Sequence, residues 1–110
     1  LKSIYRLKKN YQYNYVYKHA KSLSDKNFVL LYCTSNQKQS KVGFSISKKF
    51  GHAVARNRLR RQLKAAVMQY AERLVPNFNI VFIPRLQDKY LFSDVIASVE
   101  KLLTKAGLIK

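Results

Sequence analysis

A chain of 110 residues with 22 Lys and Arg against five Asp and Glu, a net charge of +17, has room for one domain and one modest core. A hydrophobic share of 47% with 13% aromatics excludes a disordered polycation, and no apolar run within it reaches the length of a signal or a membrane span. The charge is lopsided: residues 1–64 hold 16 of the basic residues and a single acid, Asp25. That distribution is the electrostatic footprint of a nucleic-acid binder and leaves residues 65–110 as core scaffold. The lone Cys33 can form no internal disulfide. Its apolar neighbours make it a buried reduced thiol, which points to a reducing, cytoplasmic setting. Leu1 in place of Met leaves room for a true start upstream.

Residues 1–9 are basic and irregular. A first helix is expected from Asn10, a favoured N-cap type, to Lys18 or His19. It carries four tyrosines in seven residues, of which Tyr13 and Tyr17 share a face with Val16 and Ala20. Two readings stay open for that pair: core residues with wet hydroxyls, or a stacking surface for unpaired bases. A polar connection follows, with a short strand near Ser22–Ser24. Phe28–Thr34 is short, branched and aromatic, as a strand is. After a polar loop at 35–40, Val42–Ser47 alternates like a half-buried strand, with Gly43, Ser45 and Ser47 making one face able to admit a backbone or a close-packed helix.

Gly51 breaks the chain before a helix expected over 53–74. Leu59, Leu63, Ala66, Val67, Tyr70 and Leu74 form its apolar stripe. Asn57, Arg60, Arg61 and Lys64 make a second, outward stripe, flanked by Arg56 and Arg58. Solvated helix faces ordinarily mix signs, because like charges at i,i+4 repel. Here Arg56, Arg60 and Lys64 repeat at that spacing with nothing to offset them, which suits a phosphate partner. Pro76 and Asn77 end the helix, 78–83 is a buried strand, and a final helix is expected over 91–106. Its core face is Phe92, Val95, Ile96, Val99, Leu102, Leu103 and Ala106, and Gly107 is its C′ residue. Strand, helix, strand across 42–83 implies a βαβ crossover between parallel strands. The whole is an α/β sandwich, one sheet of three or four strands packed with helices, and the generic crossover is right-handed.

These residues also carry a resemblance. Val42-Gly43-Phe44-Ser45-Ile46-Ser47-Lys48-Lys49, Gly51, then Ala53-Val54-Ala55-Arg56-Asn57-Arg58-Leu59-Arg60-Arg61 closely resembles the signature of the bacterial ribonuclease P protein subunit, with Arg56-Asn57-Arg58 as its hallmark. Arg6-Leu7-Lys8-Lys9-Asn10, the aromatic first helix, Phe28-Val29 and the closing 102–108 segment match in order, so the likeness spans nearly all of 1–110 as one RNA-binding domain. It implies an α+β two-layer sandwich of order α-β-β-β-α-β-α with a left-handed crossover, against the generic rule. It implies as partners the ribonuclease P RNA and the 5′ leader of precursor tRNA, with Mg2+ held mainly by the RNA. It implies that Lys48, Lys49, His52, Arg56, Asn57, Arg58, Arg60, Arg61 and Lys64 face RNA. The leader cleft it implies is lined by Tyr13, Val16, Tyr17, Leu31, Tyr32, Phe44, Asn57, Arg60, Arg61 and Lys64. His52 departs from the family's usual Asn. Leu31 stands where a strand tyrosine is common, with Tyr32 beside it on the opposite face.

Hydrolysis of a phosphodiester by protein groups needs a carboxylate cluster with metal ions or a His-based acid–base pair. Asp25, Glu72, Asp88, Asp94 and Glu100 are scattered, and His19 and His52 lie in separate segments where a surface role is the ordinary one. No catalytic residue and no metal ligand is therefore expected in this chain. The competing reading is a ribosomal-type structural RNA binder, which shares the charge and build but needs no site for a single strand. An unspecific RNA chaperone would not need so ordered a stripe.

Overall fold

The computed structural model describes residues 1–110. The elements run α1 (Asn10–His19), β1 (Lys21–Ser24), β2 (Phe28–Thr34), β3 (Lys41–Phe44), α2 (Ala53–Met68), β4 (Phe78–Pro84) and α3 (Phe92–Lys105), with single 3-10 turns at Ser3–Tyr5, Lys48–Phe50 and Ala71–Arg73. The strands form one mixed sheet of order β1-β2-β4-β3, in which β2 pairs antiparallel with β1 and β4, and β3 lies parallel to β4. The β3–α2–β4 segment is thus the crossover that the sequence implies.

Strand parity divides the side chains between two faces. Phe28, Leu30, Val42, Ile80 and Phe82 pack under α2 and α3 with Leu59, Leu63, Val67, Val95, Val99, Leu102 and Leu103, making the main core. On the other face, Val81 meets Val16 of α1 and Leu7, with Leu31, Cys33 and Ile83 around them. The fold is therefore a sheet-on-helices sandwich, with α1 laid over part of the sheet's opposite face. That second contact makes a cleft possible along α1.

Four sequence expectations are corrected in detail. Helix α2 stops at Met68 rather than 74; Tyr70 and Leu74 are buried as their spacing requires, but the chain there is held by i+3 bonds. The reason is tertiary: Val75 N–H bonds Leu108 O, and the Arg73 guanidinium bonds the Lys110 carbonyl, so the segment follows the C-terminus instead of the helix axis. Strand β3 ends at Phe44 rather than Ser47, after Ser45 N–H donates to Phe82 O. The next rung would need an N–H from Pro84, which has none. Asn10 is the first helical residue, and the Lys9 N–H at the cap is taken by Gln12 Oε1 at 3.2 Å. Phe92, at the first turn of α3, is exposed, while Ser98 is buried in the core face. Gly107 does close α3 at C′, with φ of 71°, a conformation glycine adopts without strain.

Asp25 organises the β1–β2 turn by accepting the Asn27 and Phe28 N–H groups, each at 2.8 Å. Partial burial works to raise its pKa, but hydrogen bonds from Ser98, Phe28 and Asn27 and the charge of Lys101 outweigh it, and the net shift is downward. A carboxyl depressed in the folded state stabilises the fold above its unfolded pKa near 4 and loses that contribution as pH falls through the folded value. Asp25→Ala is expected to cost about 1–3 kcal/mol at neutral pH and nothing further in acid. Urea melts of both proteins between pH 7 and pH 2.5 check this; a gap that persists undiminished at the acid end sinks it.

Candidate nucleic-acid interface

Helix α1 is seated by Val16, which is fully buried, so its 3.6-residue period turns Tyr13 and Tyr17 toward β3. There Gly43 leaves room for a ring. A Cβ at Gly43 would run into the Tyr13 hydroxyl and ring edge, so the glycine lets the ring seat directly against the strand. Tyr13 Oη donates to Leu7 O at 3.3 Å and Tyr17 Oη to Ser45 Oγ at 2.9 Å. The two rings stand 6.3 Å apart, tilted by 46°. Tyr17 is 48% exposed, whereas Tyr13 is half-buried, and burial lifts its hydroxyl pKa despite the Phe44 backbone and the nearby Arg60.

Two adjoining depressions share Tyr13 and Phe44. The first, about 290 Å3, is lined by Arg6, Lys8, Arg60 and Lys64; the second, about 400 Å3, by Asn10, Asn14, Tyr17 and Ser45. Arg6 and Lys8 arrive because the N-terminal segment pairs with the free edge of β3, through the Arg6–Val42 bridge and Leu7 N–H to Val42 O. Arg6 Nε is enclosed there without a hydrogen-bond partner. Arg60 and Lys64 arrive from α2. The result is a groove with aromatic faces on one side and four cations on the other, the combination that tracks a single-stranded backbone and stacks its bases.

Beyond the groove, α2 turns Asn57 and Arg61 to solvent, with Lys48, Lys49 and His52 exposed just ahead of it. Arg56 is pinned by Nη1 to Gly51 O at 2.6 Å, and Arg60 Nη1 bonds Asn57 Oδ1 at 3.1 Å. No acid occupies the first turn of α2, and the His52 side chain makes no capping bond. Cations at the positive end of a helix dipole work against helix stability, whereas an anion there is held both by the dipole and by the arginines. No three or more His, Cys, Asp or Glu side chains come together as a group that could hold a metal ion.

The Ribonuclease P family model matches residues 1–107. This chain belongs to the ribonuclease P protein family. The ribonuclease P protein component of Clostridioides difficile strain 630 is 38% identical over 104 residues, covering 93% of this chain and 91% of that protein. That of Carboxydothermus hydrogenoformans is 39% identical over 107 residues, covering 94% and 90%. Among solved structures, the Staphylococcus aureus RNase P protein superposes with a TM-score of 0.87 at 28% identity, covering 96% of this chain and 98% of that one. The Thermotoga maritima RNase P protein gives 0.81 at 28%, covering 91% and 96%. A ribonuclease P protein component is a subunit of the tRNA-processing ribonuclease, and its partner is the ribonuclease P RNA.

In this ribonuclease P protein, Tyr13, Tyr17, Phe44, Arg60 and Lys64 come together in the groove. Val16 is wholly buried beneath α1, and Leu31 is half-buried beside it on the same sheet face. Tyr32 is on the opposite face, packed on the main core with its ring 6.4 Å from Phe78, because adjacent strand residues alternate. It does not line the groove, and neither do Asn57 and Arg61. Arg58 lies on another flank of α2, in a depression with Asp88 and Lys89. Sequence reasoning did not name Arg6, Lys8, Asn10, Asn14 and Ser45 as groove residues; the signals for the first two were the unopposed basic segment at 1–9 and the match of Arg6–Asn10 to the family. Replacing Arg60 and Arg61 together with Ala is expected to flatten the dependence of log affinity on log salt by up to about 2 units, with an unchanged melting curve. RNA titrations across a salt series read this directly, and an unaltered slope returns both residues to plain solvated surface.

Proposed function

We propose that this chain contacts the ribonuclease P RNA through the basic surface made by Lys48, Lys49, His52, Arg56, Asn57, Arg58 and Arg61, and holds the single-stranded 5′ leader of precursor tRNA in the groove between α1, β3 and α2. The leader is removed by endonucleolytic hydrolysis in the cytoplasm. The chemistry belongs to Mg2+ held by the RNA, and the protein positions the substrate. The observation that carries this reading is the meeting of Tyr13, Tyr17 and Phe44 with Arg6, Lys8, Arg60 and Lys64 in one groove. A ribosomal-type protein that only clamps folded RNA needs the cations but not an aromatic trough for a single strand.

Reconstitution tests it. The protein alone is expected to leave precursor tRNA intact, and ribonuclease P RNA alone to cut slowly at low Mg2+. The two together should cut efficiently at the mature 5′ end. Equal rates with and without the protein at every Mg2+ concentration, or cleavage by RNA-free protein after controls for contaminating nuclease, would overturn the proposal.

A further inference from the structure

A second groove flanks the opposite side of α1, about 540 Å3 in volume, between Tyr11, Gln12 and Tyr15 and the polar turn at 34–37. Three observations set it apart. In a chain of net charge +17, its lining carries no charged side chain, so it is not built to read phosphate. Tyr11 and Tyr15 are 69% and 53% exposed, and Tyr15 packs against His19 with ring centroids 4.4 Å apart and the planes tilted by 37°. Asn79 of β4 lines the same groove and is only 8% exposed, yet its Oδ1 is enclosed without a hydrogen-bond partner. An ordinary strand position facing a helix carries an apolar residue, as Val81 and Ile83 do next along the same face. A buried carboxamide left unsatisfied there needs an external reason.

We propose that this groove is a second RNA site, which takes one unpaired nucleobase rather than a backbone. The base stacks on the open tyrosine face, and its binding opens the lining beside Asn79 so that an N–H of the base edge reaches the enclosed, unpartnered Oδ1. The inference rests on the chain being an RNA-binding subunit and adds a neutral, base-reading site to the charged one. The base comes either from the ribonuclease P RNA or from precursor tRNA, and the two sources share this chemistry.

The test compares wild type, Tyr15→Ala and Asn79→Leu in affinity for ribonuclease P RNA alone and, as holoenzyme, for precursor and mature tRNA, each over a salt series. Tyr15 is on the surface, so its truncation keeps the fold even if Asn79→Leu does not. Both variants are expected to lose about 5- to 150-fold in affinity for one of the RNAs, the range for one stacked base, with the salt slope unchanged because no charge is lost. A loss seen with the RNA subunit assigns the base to that RNA; a loss confined to tRNA assigns it to the substrate. If wild type binds with a steep salt slope and both variants match it on every RNA, this inference falls and the proposed function stands. A loss accompanied by a flattened slope also overturns it, since phosphate contacts would then be responsible. Wild type that binds none of the RNAs overturns both readings.

Discussion

Truncating Tyr17 to Ala is expected to lower affinity for precursor tRNA by about 1–3 kcal/mol while leaving mature tRNA binding unchanged, because a single stacked base contributes about that much and mature tRNA has no leader to stack. Its melting curve should hardly move. Tyr17 is 48% exposed, and its hydroxyl bond to Ser45 lies on the surface, where a hydrogen bond is worth roughly 1 kcal/mol at most. Tyr13→Ala should behave differently. Tyr13 is half-buried over Gly43 and bonded to the Leu7 carbonyl, so its loss takes packing as well as stacking. Part of the ~3–5 kcal/mol that a fully buried aromatic deletion costs should then appear in stability, alongside the loss in leader affinity. The measurement is the precursor-to-mature affinity ratio of each variant beside its denaturation curve. If both tyrosines weaken the two tRNAs alike, the groove is a general phosphate surface. If Tyr17→Ala shifts the melt and leaves the ratio alone, the ring is merely structural.

The contrast between these two tyrosines shows where the sequence stops being legible. Helical spacing put Tyr13, Val16 and Tyr17 on one side of α1, and it could go no further, because depth depends on what lies beneath. Val16 is driven into the sheet, Tyr13 is caught at its margin by the gap above Gly43, and Tyr17 is left at the rim. The outward stripe on α2 was readable from residue types alone, since uncompensated arginines at i,i+4 have no local explanation. Which of them turn into the groove was not. Arg60 and Lys64 line it beside β3, whereas Asn57 and Arg61 of the same stripe do not. Arg6 and Lys8 carry no periodic signal, and their place follows from an edge pairing with Val42 some 36 residues away in sequence. The main core was legible apart from Phe92 and Ser98, and Tyr70 and Leu74 belong to it because burial follows apolar spacing even where the helix gives way to 3-10 turns. The helix end was not legible, since it is fixed by Arg73 and Val75 binding the C-terminal carbonyls.

Gly43→Val turns this geometry into a test of the groove that removes no charge and no aromatic ring. On β3 itself valine is well suited to a strand. Its Cβ, however, would fall against Tyr13 Oη and 2.6 Å from Cζ, closer than non-bonded atoms approach, so the end of the ring must shift out of its seat. Overpacking of this kind costs about 1–3 kcal/mol of stability. The displaced ring can no longer stack in the groove, so precursor tRNA affinity should fall by about 1–3 kcal/mol, as for loss of Tyr13 itself, with the salt slope and mature tRNA binding preserved. The double variant Gly43→Val with Tyr13→Ala decides the mechanism. With the ring gone, the three atoms nearest the new Cβ are gone as well, so the pair should be no worse than Tyr13→Ala alone in stability or leader affinity. That is a coupling of order 1–3 kcal/mol between residues in contact. Strict additivity of the two substitutions, measured by denaturation and by precursor tRNA titration on all four proteins of the cycle, would show that Gly43 serves the strand and not the seat of Tyr13.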